Sequence, residues 1–134
     1  MARSSFAATV IVPTFNRKRL LRTCLESLER QVDVPSAFEV VVVDDGSTDA
    51  TATFLESFAA TTSLVLRCLR QRGSGAAAAR NRALNHASGD VVLFLDDDTF
   101  ASPELLAAHL AFHAEWPAEC HACLGHIDAP DDGR

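Results

Sequence analysis

Four short apolar runs punctuate the chain, at residues 7–12, 38–43, 64–69 and 91–95. Each is followed by a polar or glycine-bearing turn and then by a segment with helical spacing. That rhythm predicts an α/β domain built on a mostly parallel sheet flanked by helices. The second run holds four consecutive valines, Val40 to Val43, with no polar alternation. It therefore reads as a strand covered on both faces. The whole chain, 134 residues, is sized for one domain (1–134) and not two.

The segments between the runs carry helical periodicity. Leu21, Cys24, Leu25 and Leu28 fall on one face at steps of three and four, and Phe54, Leu55 and Phe58 do the same further on. Ser47, Thr48 or Asp49 is the expected cap of that second helix. An alanine-rich helix is expected to about His86, with Gly89 breaking it. Ser102, Pro103 and Glu104 read as N-cap, first helical position and first-turn acid of a helix to about Glu115. A fifth strand is expected around residues 122–127.

Composition excludes several classes. A net charge of −6, from 12 Lys plus Arg against 18 Asp plus Glu, offers no electrostatic footprint for nucleic acid. No apolar run approaches the roughly 20 residues of a membrane-spanning helix. The N-terminal residues lack the apolar core of a secretory signal, so the expected compartment is the cytoplasm. In that compartment Cys24, Cys68, Cys120 and Cys123 are expected to be free thiols, three of them in apolar packing.

In open parallel sheets, ligands bind beyond the carboxyl ends of the strands. The polar clusters fall there: Thr14, Asn16 and Arg17 after the first strand, Asp44 and Asp45 after the second, Arg72-Gly73-Ser74-Gly75 after the third, and Asp96, Asp97 and Asp98 after the fourth. Adjacent carboxylates repel unless a cation or hydrogen-bond donors compensate. A hard divalent cation, Mg²⁺ or Mn²⁺, suits one or two such carboxylates, with phosphates and water completing its shell. The plainer reading is a solvated acidic turn with capping duty. Gly73-Ser74-Gly75 before a helix offers backbone N–H groups to an anion, with Arg80 nearby; the plainer reading is a flexible turn.

Two further patterns compete. Gly73-x-Gly75-x-x-Ala78 imitates a dinucleotide fingerprint, with Asp96 where a ribose-binding acid would fall, although it follows the third strand and not the first. That is the basis of an alternative reading as a fragment of a NAD-dependent oxidoreductase. His109-x-x-x-His113, Cys120-x-x-Cys123 and His126 have zinc-like spacing, against which stands a plain role in the core or an interface.

Together the clusters resemble the N-terminal, nucleotide-sugar-binding part of family 2 glycosyltransferases, which have the Rossmann-like GT-A fold of nucleotide-diphospho-sugar transferases. Val10-Ile11-Val12-Pro13-Thr14-Phe15-Asn16-Arg17 looks like that family's opening strand and loop. Val41 through Asp49, Gly73 through Asn81, and Gly89 through Asp98 resemble its later motifs, the last containing a DXD element.

The resemblance implies transfer of a sugar, with inversion and with a divalent cation, from a nucleotide-diphosphate donor, most readily a UDP-sugar, to an acceptor hydroxyl. It implies that Pro13, Thr14 and Asn16 border the nucleoside and that Asp44 or Asp45 bonds the base. Gly73 and Arg80 would lie near the nucleotide, Asp96 and Asp97 would face ribose and sugar, and Asp98, with Asp96, would hold the metal. It also implies a truncated domain, because the acceptor half and its general base lie outside this chain. The spare acids Asp128, Asp131 and Asp132 have no recognisable context for that role. A non-catalytic nucleotide-binding or interaction module of the same fold is the second alternative, and apolar surface uncovered by truncation would favour a homo-oligomer.

Overall fold

The computed structural model describes residues 5–129. Asp131, Asp132 and residues 1–4 lie outside that range. Eight elements alternate strictly: β1 (Phe6–Thr14), α1 (Lys18–Glu29), β2 (Phe38–Asp44), α2 (Thr51–Thr61), β3 (Val65–Arg70), α3 (Ala76–Leu84), β4 (Gly89–Phe94) and α4 (Leu105–Glu115). The strands form one parallel sheet in the order β3-β2-β1-β4. It is the α/β architecture expected from the four runs.

The chain moves outward from β1 to β2 and β3, then returns across β1 to lay down β4. Right-handed crossovers put helices on opposite faces when the direction of travel reverses. Accordingly α1, α2 and α4 cover one face, packing Leu21, Cys24, Leu25, Leu28, Phe54, Leu55 and Leu106 onto Ala8, Val10, Val12, Val40 and Val42. Only α3 covers the other, setting Ala79 and Ala83 on Ile11, Val41 and Val43. The small alanines let this short helix lie close to the sheet.

Four local expectations are corrected. Gly89 does not stop a helix: α3 ends at Leu84, and Gly89 opens β4. A Cβ there would sit 2.3 Å from the Ala8 carbonyl carbon, so the sheet itself demands glycine. Ser102 does not cap α4, which begins at Leu105. Its free Leu106 N–H donates instead to Gln31 Oε1 at 2.9 Å, while Gln31 Nε2 donates to the Ser102 carbonyl at 2.7 Å. The cap thus comes from the residues just after α1, a tertiary contact with no local signal.

Residues 122–127 form no strand. Leu124 is 94 % exposed, and among the described residues the segment pairs with no strand to take the backbone hydrogen bonds that a strand requires. Of the cysteines only Cys24 is buried; Cys68 lies exposed on the outer strand β3, Cys120 is exposed, and Cys123 is half-buried. Among the described residues no helix is long and apolar enough to cross a membrane.

At the amino-terminal side of the sheet the buried Glu39 accepts from Thr9 Oγ1 and from the Ser88 N–H, both at 2.7 Å. Thr9 Oγ1 in turn accepts from the Gly89 N–H at 2.8 Å. This network ties β1, β2 and the start of β4, and leaves the carboxyl-terminal side free to carry the site.

Candidate functional site

Where strand order reverses, between β1 and β4, the loops after the two strands diverge and leave a crevice. A cleft of about 270 Å³ opens there, lined by Pro13, Thr14, Arg17, Asp45, Arg80 and Asp96 to Asp98 among others. Asn16, Asp44 and Gly73 are not among its lining residues.

The turn after β2 is built inward. Asp44 is almost fully buried; its Oδ1 accepts the Ser47 N–H at 2.8 Å, and its Oδ2 has no hydrogen-bond donor, with Arg70 Nη1 3.9 Å away. Asp45 accepts three donors: Gln71 Nε2 and the Ser74 N–H at 2.8 Å on Oδ1, and the Gly75 N–H at 2.9 Å on Oδ2. The Gln71 amide above all, then the Ser74 and Gly75 N–H groups, hold its carboxyl below the ordinary aspartate range.

This overturns an expectation for the glycine loop. The N–H groups of Ser74 and Gly75, at the start of α3, are not free for an external anion, because the chain's own Asp45 occupies them. Gly73 has a packing role: its N–H nitrogen would lie 3.1 Å from a Cβ placed on Gly46, whose φ is +88°. A dinucleotide fingerprint needs its glycine N–H groups open and its loop tight against the first strand, so that reading also falls.

Asn16 serves the same turn. In a left-handed conformation (φ +53°) it accepts the N–H groups of Thr48 and Asp49 on Oδ1, at 2.8 and 3.2 Å, and donates its own N–H to Ser47 Oγ at 2.9 Å. The side chain expected to border a nucleoside is engaged in joining two loops. Asp49, one of the expected caps of α2, accepts the Thr51 N–H at 2.9 Å.

The turn after β4 is built differently. Asp97 points inward, its side chain 6 % exposed, and accepts Thr14 Oγ1 at 2.8 Å and Arg17 Nη1 at 3.2 Å. Burial raises its pKa above the ordinary value, outweighing those donors. Its neighbours face outward: Asp98 is 53 % exposed and meets the same Arg17 nitrogen at 3.4 Å, and Asp96 is 62 % exposed and meets Arg80 Nη2 at 2.8 Å. Beneath them Cys24 donates weakly to the Asp96 carbonyl at 3.7 Å. Burial first, then the three carboxylates, push its thiol up to about 12, so it stays protonated. The three aspartates, identical in sequence, thus divide into one buried strut and two solvent-facing carboxylates.

Arg17, named among the polar residues after the first strand but assigned no role of its own there, also lines the cleft. One signal was available: it directly follows the first-strand loop, opening α1. Among the described residues no three His, Cys, Asp or Glu side chains converge as a metal cage. His109, one of the five residues of the zinc-like pattern, is buried on α4 beside Gly125, and burial lowers its pKa, with help from His113.

Comparison with known proteins adds the following. The sequence profile described as glycosyl transferase family 2 matches residues 9–132. An uncharacterized glycosyltransferase YfnE of Bacillus subtilis is 41 % identical over 106 residues, covering 79 % of this chain and 26 % of the relative. The crystal structure of Staphylococcus aureus TarS in complex with UDP-GlcNAc superposes with a TM-score of 0.74 at 38 % identity, covering 82 % of this chain and 32 % of that one. A mannosyltransferase from Pyrobaculum calidifontis, in complex with GDP-Man and Mn²⁺, gives 0.76 at 34 % identity, covering 84 % and 33 %. The chain therefore spans about a quarter of that curated relative and about a third of those solved chains.

Proposed function

Because the chain belongs to glycosyl transferase family 2, we propose that it forms the nucleotide-sugar-binding part of an inverting, metal-dependent glycosyltransferase. The observation that carries this reading is the cleft at the β1/β4 reversal, where two solvent-facing carboxylates, Asp96 and Asp98, stand beside two guanidinium groups. The folds that resemble this one hold UDP-GlcNAc in one case and GDP-Man with Mn²⁺ in another. A UDP-sugar is the donor proposed first.

The donor set fits a hard cation. Asp96 and Asp98 supply oxygen ligands at the cleft wall, and each arginine contact engages one oxygen of its carboxylate, leaving the other outside those contacts. Mg²⁺ or Mn²⁺ is held this way, by one or two carboxylates plus substrate phosphates. When bound, such an ion neutralises charge on the departing diphosphate.

The chain's own residues do the rest. Pro13 and Thr14 form the wall proposed to border the nucleoside. Asp45 is the better placed of the two acids to meet the base, since it lines the cleft and Asp44 does not. Arg80 and Arg17 set positive charge where a diphosphate would lie. The Thr14–Asp97 hydrogen bond locks the ends of β1 and β4 together, so the two walls keep their spacing.

In the reaction proposed, an acceptor oxygen bonds to the anomeric carbon as the bond to the β-phosphate oxygen breaks, and the diphosphate leaves with that electron pair. The acceptor proton goes to a base outside this chain. A cytoplasmic setting is proposed as well, in keeping with four unpaired cysteines.

Calorimetric titration with UDP-, GDP- and dTDP-sugars, with and without Mn²⁺, tests the reading. We expect Mn²⁺-enhanced binding of one nucleotide class; no enhancement with any of them overturns it.

A further inference from the structure

We propose that Arg17 is an internal counter-ion that competes with the divalent cation for Asp98 and is exchanged onto the diphosphate when the donor enters. The proposal rests on the donor-site reading above and adds an order to it: metal alone binds poorly, and metal with nucleotide binds well.

The cleft carries four carboxylates, on Asp45, Asp96, Asp97 and Asp98, and two guanidinium groups, on Arg17 and Arg80. Asp45 is satisfied by N–H donors of the glycine loop and by Gln71, so it draws on neither arginine. The guanidinium groups are left to the aspartate turn. One Arg17 nitrogen, Nη1, reaches Asp97 at 3.2 Å and Asp98 at 3.4 Å, both at the long end of hydrogen-bond range. A single nitrogen shared between two carboxylates, on a half-exposed side chain, is a weak hold on each.

The two partners differ in what they can give up. Asp97 is buried and retains Thr14 Oγ1 when Arg17 moves. Asp98 is exposed, and Arg17 is its one protein partner among the described residues. Departure of Arg17 therefore leaves Asp98 as a bare carboxylate in the cleft, the ligand a hard cation takes. Before that, a cation approaching Asp98 meets a positive charge already seated there, and like charges a few ångströms apart repel. A diphosphate reverses the balance, because a guanidinium fork matches phosphate oxygens better than one shared nitrogen matches two carboxylates.

The test measures Mn²⁺ binding without nucleotide, by the paramagnetic resonance signal of the free ion, for the unaltered protein, Arg17→Gln and Arg17→Lys. UDP binding in saturating Mn²⁺ is measured beside it by calorimetry. Removing the charge in Arg17→Gln should tighten Mn²⁺ alone by roughly tenfold and weaken UDP by a similar factor. Opposite movements of the two affinities are something a merely structural arginine would not produce.

Arg17→Lys keeps a charge without the fork, so Mn²⁺ alone should stay as weak as in the unaltered protein while UDP binding is still impaired. It also serves as the reporter if Arg17→Gln does not fold, with UDP binding equal to that of the unaltered protein then counting against the proposal. An unchanged or weaker Mn²⁺ affinity in a folded Arg17→Gln, with UDP–Mn²⁺ binding intact in the unaltered protein, overturns the proposal and leaves the donor site standing. Absence of UDP–Mn²⁺ binding in the unaltered protein overturns both.

Discussion

The turn after β2 and the turn after β4 are both runs of aspartate at the carboxyl end of a parallel strand, yet they do opposite things with their charge. In the first, Asp44 and Asp45 turn onto backbone N–H groups and a glutamine amide. Those donors are fixed by the fold and cannot leave without breaking it. In the second, the Asp96 and Asp98 carboxylates meet, among the described residues, the ends of the partly exposed Arg80 and Arg17 side chains. The difference separates a turn whose carboxylates are held by backbone N–H groups from one whose outer carboxylates face solvent.

The largest expected effect breaks the first turn. Asp45→Ala leaves three donors without their acceptor and should cost about 3 kcal/mol in denaturant unfolding. A loss below about 1 kcal/mol would mean that the loop finds other partners and the comparison fails. Next, Gly46→Ala forces a side chain onto a φ of +88° and within 3.1 Å of the Gly73 nitrogen, for an expected loss of about 2 kcal/mol by the same measurement.

Two buried aspartates, one from each turn, should then pull stability in opposite directions with pH. The folded pKa of Asp45 lies below the ordinary 3.8, so its contribution is present above that value and is lost as pH falls through the lowered one. The folded pKa of Asp97 lies above 3.8, so the folded state holds its proton more tightly, and stability falls as pH rises from 3.8 through the raised value. Unfolding across pH 2 to 6 should show Asp45→Asn losing the first slope and Asp97→Asn losing the second. The smallest effect belongs to Asp98→Ala, expected to shift stability by no more than about 0.5 kcal/mol while abolishing the Mn²⁺ dependence of nucleotide binding. A large stability loss there would make the two turns alike.

Much of this was legible in the chain. Four apolar runs with helical segments between them gave the parallel sheet, and the aspartate clusters after its second and fourth strands pointed to the candidate cleft. The glycine loop was misread, because nothing local says that Asp45, nearly thirty residues earlier, already fills it. Gly89 was taken for a helix breaker when its constraint is the backbone of Ala8 across the sheet. The cap of α4 was sought in Ser102 and came from Gln31.

The sequence by itself determined the fold, the direction of the sheet and the family, since these follow from periodicity and from motifs whose members are neighbours in the chain. Tertiary structure alone decided which of the three aspartates after β4 is a buried strut and which two face solvent. That choice depends on Thr14 and Arg17, brought eighty residues along the chain to one side of the turn by the pairing of β1 with β4. Burial and partner geometry differ at positions where residue type does not, and only the folded chain has either.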